Sequence, residues 1–224
     1  MLSLILPRRC PCCQHALLPT EGPLCLRCLA ALPRVHAEMP GNVVEQRMLG
    51  QFSFEHGTSF CYYMHDGMMA RAIKQAKYQH RPWVDADLAS LFVQELKLAQ
   101  SPWPYDIDCI VPIPVHWSRL FRRGYNQTMA IAEALHKQWN IPIESHCLKK
   151  KFTLHTQVGL DREERLRSVS GTFYVALPER LSGRHILLVD DVMTTGATLV
   201  AAADALLAEI PDLRISFLTL AMSD

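Results

Sequence analysis

No run of this chain approaches the roughly 18 consecutive apolar residues that a membrane-spanning helix requires, and the apolar start at 1–7 is too short for the core of a secretory signal. A cytoplasmic protein with no membrane span is therefore expected. Net charge is almost absent too. Lys and Arg number 23 against 22 Asp and Glu, a formal charge of +1, so bulk charge argues for no nucleic-acid partner and any such contact needs a local basic patch. The loop G-x-x-x-x-G-K-[ST] is missing, which removes the usual company of a Walker-type acidic strand. Internal repeats and low-complexity tracts are also lacking. What remains, 224 residues with 49% hydrophobic and 20% charged content, suits a globular chain with one sizeable domain and a small appendage.

Cysteine is not scarce, but it is unevenly spread. Five of the eight cysteines fall in the first 28 residues, and in a reducing compartment that crowding points to a metal rather than to disulfides. Cys10-Pro11-Cys12-Cys13 and Cys25-Leu26-Arg27-Cys28 give C-x2-C twice. The spacing suits one tetrahedral Zn²⁺ held by Cys10, Cys13, Cys25 and Cys28, with Cys12 as the spare thiol. So short a segment buries too little to fold without the ion, and four thiolates leave no water position, so the role is structural. The appendage is bounded at 1–35. The mixed stretch 33–51, with Pro40-Gly41 as a turn signal, reads as the link to the main domain, 52–224.

Beyond the link, strand and helix patterns alternate. Strands are expected over 58–64, 107–111, 186–189 and 214–221, with a weaker one over 143–148, and helices over 68–78, 85–99, 126–139 and 199–210. This is an α/β pattern, a parallel sheet with helices on both faces, whose ligands belong at the carboxyl ends of the strands.

The most informative stretch is Ile186-Leu-Leu-Val-Asp190-Asp191-Val-Met193-Thr194-Thr195-Gly196-Ala197-Thr198. Four aliphatic residues without polar alternation fit a strand buried on both faces. The small, hydroxylated loop then opens a helix, where backbone N–H groups and the helix dipole favour an anion. Asp190 and Asp191 repel a phosphate, but they accept hydrogen bonds from sugar hydroxyls and hold a hydrated divalent cation. The segment resembles the 5-phosphoribosyl 1-pyrophosphate (PRPP) motif of type I phosphoribosyltransferases. A receiver-like strand end also carries an acidic pair, but does not call for T-T-G-A-T. The likeness implies a PRPP set of Asp190, Asp191, Met193, Thr194, Thr195, Gly196, Ala197 and Thr198, with Asp190 and Asp191 as the catalytic pair and Mg²⁺ as cofactor.

Such a site needs a second anion pocket for pyrophosphate, the leaving group. Arg119, Arg122 and Arg123, which follow Val111-Pro-Ile-Pro114, and Lys77, on the helix that also carries Lys74, are its candidates. The arginines also suit a nucleic-acid backbone, with Tyr125 as a stacking surface. The long polar stretch from Lys149-Lys150-Lys151 through Asp161-x-x-Glu164 reads as a lid with a short helix starting at Arg162.

Taken in order, the paired cysteines, V-P-I-P, R-R-G-Y-N-Q, T-Q-x-G-L-x-R-x-E-R and V-D-D-V-x-T-T-G-A-T resemble the competence protein F (ComF) family, including its GntX-like members. The likeness covers nearly the whole chain. It implies a phosphoribosyltransferase-like domain behind a zinc-binding start, a role in the uptake or use of external DNA, and a helicase-like ATPase as partner. Two departures, Ser168 for asparagine and Tyr125 for phenylalanine, leave the phosphate loop untouched. Thr194 stands where enzymes acting on 6-oxopurines carry an aspartate, and a threonine is no base at neutral pH, so hypoxanthine or guanine salvage is not expected. Two readings stay open: a Mg²⁺-dependent transferase of unknown acceptor, and a non-catalytic module that senses PRPP or a related phosphosugar while binding single-stranded DNA or the ATPase.

Overall fold

The computed structural model describes residues 8–79, 81–115, 120–121, 124–151 and 172–224. Its frame is a four-stranded, wholly parallel sheet in the order β1 (Gly57–Tyr63), β6 (Arg214–Ser223), β5 (His185–Met193) and β2 (Cys109–Pro112). The aliphatic run in β5 serves two cores at once. Leu187 and Val189 face one cluster, with residues from α3 (Met68–Tyr78), α4 (Pro82–Leu98) and α5 (Gln127–Trp139). Ile186 and Leu188 face another, with α2 (Val43–Met48) and α6 (Ala197–Glu209). A strand buried on both faces has no polar side to alternate with, which is why the sequence shows none.

Most elements lie where the hydrophobic pattern places them, and the differences have local causes. β5 runs on through the acidic pair to Met193, because its ladder with β6 continues to the Met193–Met222 pairing. Helix α4 starts at Pro82, which has no N–H to lose at the first helical position. The expected strand over 143–148 shrinks to a single parallel bridge between Ile143 and Ile110. The chain then turns into β3 (Leu148–Lys150), which pairs antiparallel with β4 (Phe173–Val175). Of the stretch read as a lid, Lys149 and Lys150 belong to β3, and the part beyond Lys151 lies outside the described residues. No helix among the described residues is long and apolar enough to cross a membrane.

The stretch read as a link does more than connect. Val35 N donates to the Phe60 carbonyl at 3.1 Å and Tyr62 N to the Pro33 carbonyl at 2.7 Å, so 33–35 covers the outer edge of β1. Helix α2 is N-capped by Asn42, whose Oδ1 accepts from Val44 N and Glu45 N at 2.9 and 3.1 Å. Val44 and Met48 are fully buried. The cysteine segment, with α1 (Leu26–Ala30), docks on the first core: Arg71 Nε donates to the Cys12 carbonyl and Gln75 Nε2 to the Pro11 carbonyl, both at 2.8 Å. Arg34 grips Glu95 on α4 with two bonds of 2.6 Å, the bidentate form that gives such a pair its geometric definition.

At the start of β1, Gly57 lies against the ring of Phe217, a fully buried residue of β6 that packs edge-on to Phe54 at 5.3 Å. A methyl group added at Gly57 would meet that ring at 2.2 Å. Gly57→Ala is expected to lower stability by about 1–3 kcal/mol, the usual cost of overpacking. Chemical denaturation checks this, and an unchanged midpoint would show that the Phe217 ring moves aside freely.

Candidate functional site

The acidic pair closes β5 at the carboxyl edge of the sheet, where β2 also ends. Asp191 N donates to Asp190 Oδ1 at 2.8 Å. Lys77, near the end of α3, places Nζ 2.6 Å from Asp191 Oδ2, and both side chains are largely shielded from water. Burial pushes the Asp190 carboxyl up to about 7, and the charge of Asp191 adds to the effect; the Asp191 N–H, Lys77 and Lys150 pull the other way. Two adjacent carboxylates here repel each other, and one of them keeps its proton until about pH 7. That is the electrostatic demand that a divalent cation and sugar hydroxyls would meet.

Around the pair is a cavity of about 280 Å³, with Lys77, Lys150, Asp190, Asp191, Thr194 and Thr198 among its walls. Ile113, Pro114 and Val115, just beyond β2, and Gln127 and Thr128, at the start of α5, complete it. Asn126 caps α5 by accepting from Thr128 N at 3.2 Å, and Thr128 Oγ1 donates to the Ile113 carbonyl at 2.6 Å, so this wall is fixed to the strand end. Beside the cavity, residues 192–199 enclose a recess of about 100 Å³ at the start of α6. The N-cap there is Gly196, with φ of +79° and no side chain to satisfy the first-turn N–H groups. Of those donors Ala197 N reaches Thr195 Oγ1 at 3.4 Å, and such a helix start is suited to an anion. Glycine is required there for its backbone, and a methyl at Gly196 would in addition have to displace the Met48 thioether, whose Sδ lies 2.5 Å from it.

Of the residues singled out in the sequence, Lys77, Asp190, Asp191 and Thr194 to Thr198 share this edge. Met193 also borders the recess, but its side chain is buried in the core. Arg119, Arg122 and Arg123 lie outside the described residues. Lys74 points elsewhere, donating to the His65 carbonyl at 3.2 Å. Tyr125 is half-buried, and its hydroxyl donates to the Ala76 carbonyl at 2.7 Å, tying the start of α5 to α3. The sequence reading placed Lys150 in the lid and Gln127 in the motif after the arginines without assigning either to the site, and it missed Thr128. For Lys150 a signal existed: in a strand it shares a face with Leu148, which is buried.

The second constellation is the cysteine cluster. Sulfur atoms of Cys10, Cys13, Cys25 and Cys28 all lie within 4.8 Å of one another, and Cys13 Sγ is 3.7 Å from Cys25 Sγ. Metal–sulfur bonds of about 2.3 Å in a tetrahedron require sulfurs about 3.8 Å apart, so the set fits a tetrahedral thiolate site. Burial disfavours the Cys10 thiolate, but N–H groups of Cys25, Cys13 and Cys12 outweigh it and hold the thiol down at about 7. Cys12 differs. Burial, together with the charges of Cys10 and Cys13, pushes it up to about 12, and its sulfur is not part of the four-sulfur group.

A parallel sheet that presents an acidic pair and a glycine-capped loop at one strand end resembles a phosphoribosyltransferase-type domain. Residues 145–222 match the phosphoribosyl transferase domain family. Beyond that segment, the chain is similar over most of its length to competence protein F of Haemophilus influenzae, 28% identical over 85% of this chain and 80% of the other. Similarity extends likewise to DNA utilization protein YhgH of Escherichia coli K12, 28% identical over 88% of this chain and 83% of the other. Competence protein ComFC of Bacillus subtilis is 27% identical over 72% and 62%. The resemblance to the competence protein F family carried by the motifs thus holds beyond the motifs themselves. Among solved structures, an adenine phosphoribosyltransferase aligns at 18% identity and a TM-score of 0.41, over 66% of this chain and 74% of its own. A Bacillus subtilis glutamine PRPP amidotransferase aligns at 16% and 0.39, and the chain spans only 26% of its length.

The raised pKa of Asp190 has a consequence for stability whose sign can be checked. Between about pH 4, near the ordinary aspartate value, and about 7, the folded chain holds a proton that the unfolded chain has lost. This group's contribution to stability therefore falls as pH rises through that window and is level above it. Asp190→Asn should flatten that part of the stability profile. Denaturant midpoints measured from pH 4 to 8 check this, and identical profiles for variant and parent would show that Asp190 titrates normally.

Proposed function

We propose that this chain binds PRPP together with Mg²⁺ and acts in the handling of external DNA. The observation that carries the reading is the adjacency, at the end of β5, of an acidic pair held by Lys77 and a phosphate-sized recess opening on the start of α6. The recess takes the 5′-phosphate on first-turn N–H groups and the hydroxyls of Thr194, Thr195 and Thr198. Asp190 and Asp191 accept hydrogen bonds from the ribose hydroxyls. Lys77 exchanges Asp191 for the pyrophosphate as it enters, and Lys150 supports it from the other wall of the cavity. Asp190 and Asp191 are also the residues that would hold Mg²⁺, which supplies charge neutralisation for the departing pyrophosphate.

If transfer occurs, the C1–O bond to pyrophosphate breaks, a C1–N bond to the acceptor forms, and the acceptor's proton passes to solvent. Thr194 gives the loop no carboxylate for a 6-oxopurine, which favours another acceptor or none. The cysteine cluster is assigned to structural zinc, whose four thiolate ligands leave no open position. The DNA role follows from the names of competence protein F and DNA utilization protein YhgH, whose likeness covers most of the chain.

Two measurements test this. Asp190→Asn combined with Asp191→Asn should lower PRPP affinity about tenfold to 150-fold, from roughly 1.5–3 kcal/mol for hydrogen bonds to charged groups. Unchanged affinity by calorimetry would give the loop another job. Separately, Cys25→Ser should reduce zinc from close to one ion per chain while PRPP binding persists; elemental analysis that finds no zinc in the freshly purified, unchelated parent would end the structural-metal assignment.

A further inference from the structure

A second groove, outside the site, lies between the cysteine segment and the start of α4. It encloses about 370 Å³, at the small end of ligand pockets, roughly 300–1,000 Å³. Its floor is apolar and buried: Pro11, Leu24, Val84 and Leu88. Its rim is not. Arg8, Arg9 and Arg81 line it together with Trp83, which is 57% exposed although it is among the largest apolar side chains in the chain.

Each guanidinium is steadied by the fold. Arg8 donates to the Glu21 carbonyl at 2.7 Å, Arg9 to the Gln14 carbonyl at 3.1 Å, and Arg81 to Gln75 Oε1 at 3.4 Å. Asp87, half-buried on the same wall, is held up by desolvation and drawn down by Arg8. Three arginines converging on one groove suit a phosphate, because the guanidinium fork matches its oxygens and is more weakly hydrated than an ammonium. An exposed indole over an apolar floor suits a flat heteroaromatic ring, which stacks on it. One carboxylate in an otherwise cationic wall accepts a hydrogen bond from an amino or imino group on that ring.

We propose that this groove binds a nucleoside 5′-monophosphate, with its base against Trp83 and its phosphate among Arg8, Arg9 and Arg81. The site is separate from the acidic pair and does not depend on the PRPP assignment. It also gives the cysteine segment a task beyond its own folding: Arg8, Arg9, Pro11, Pro23 and Leu24 supply one whole wall, so the metal that fixes the two cysteine turns fixes the wall too.

The test is calorimetric titration of the full chain with AMP, GMP, CMP and UMP, alongside quenching of intrinsic tryptophan fluorescence. Saturable binding to at least one of them is expected below about 1 mM. Trp83→Ala should weaken it about tenfold or more, whereas Trp83→Phe, which keeps a stacking face, should retain most of it. Arg9→Ala with Arg81→Ala should weaken the nucleotide but not the phosphate-free nucleoside. Circular dichroism confirms that each variant is folded, and Asp190→Asn with Asp191→Asn should bind the nucleotide as the parent does. Absence of saturation, parent-like binding by Trp83→Ala, or loss in the double aspartate variant would each overturn the proposal, the last by placing the nucleotide at the phosphate loop.

Discussion

Two carboxylates on consecutive residues at the end of a buried strand repel each other, and the ammonium of Lys77, 2.6 Å from Asp191, is the contact that makes their coexistence tolerable. Much of the architecture serves that arrangement. β5 lies between β6 and β2, so its end is held from both sides, and β6 pairs with it past the acidic residues to Met193. Helix α3 must pack against β1 closely enough for a lysine near its end to reach two strands across the sheet. Alanine at 70, 72 and 76, all fully buried, lets it do so.

The same pair explains why the site is charged but incompletely balanced. One lysine cannot neutralise two carboxylates, and Asp190 responds by holding its proton up to about 7. Replacing Lys77 by a neutral residue removes the ammonium in contact with Asp191 and leaves Lys150, on the same cavity wall, to offset the pair. In this sense the protein has built a preference for cationic company into the strand end, with Lys77 filling that role in the free chain.

How far the sequence disclosed this differs from element to element. Strand β5, the glycine-capped loop after it and α6 were legible because an aliphatic run, two acids and T-T-G-A-T each obey a local rule: burial on both faces, charge at a strand end, and small residues opening a helix. The four cysteines were legible from spacing alone. Lys150 was legible only once the strand is granted: in β3 it shares a face with buried Leu148, whereas a bare triplet of lysines looks the same whichever one turns inward. Gln127 and Thr128 were hidden for a different reason. They are ordinary residues at the start of a helix, and only the tertiary placement of α5 over the end of β2 brings them to the cavity. Helix α2 was missed because six residues are too few to show a period, and because its cap and its buried face are satisfied by β1 rather than by its own length.

That short helix sets a limit on how the chain can be divided. Met48 fills the space directly beneath Gly196, and Asn42, which caps α2, donates from Nδ2 to the Gly57 carbonyl at 3.0 Å. The underside of the phosphate loop is therefore built by residues that precede the first strand of the sheet. A shortened chain beginning at residue 52 would keep every residue of the acidic pair and of the loop, yet would leave the glycine turn standing over a void the size of a thioether. The smallest unit that carries this loop in its own shape begins before Asn42.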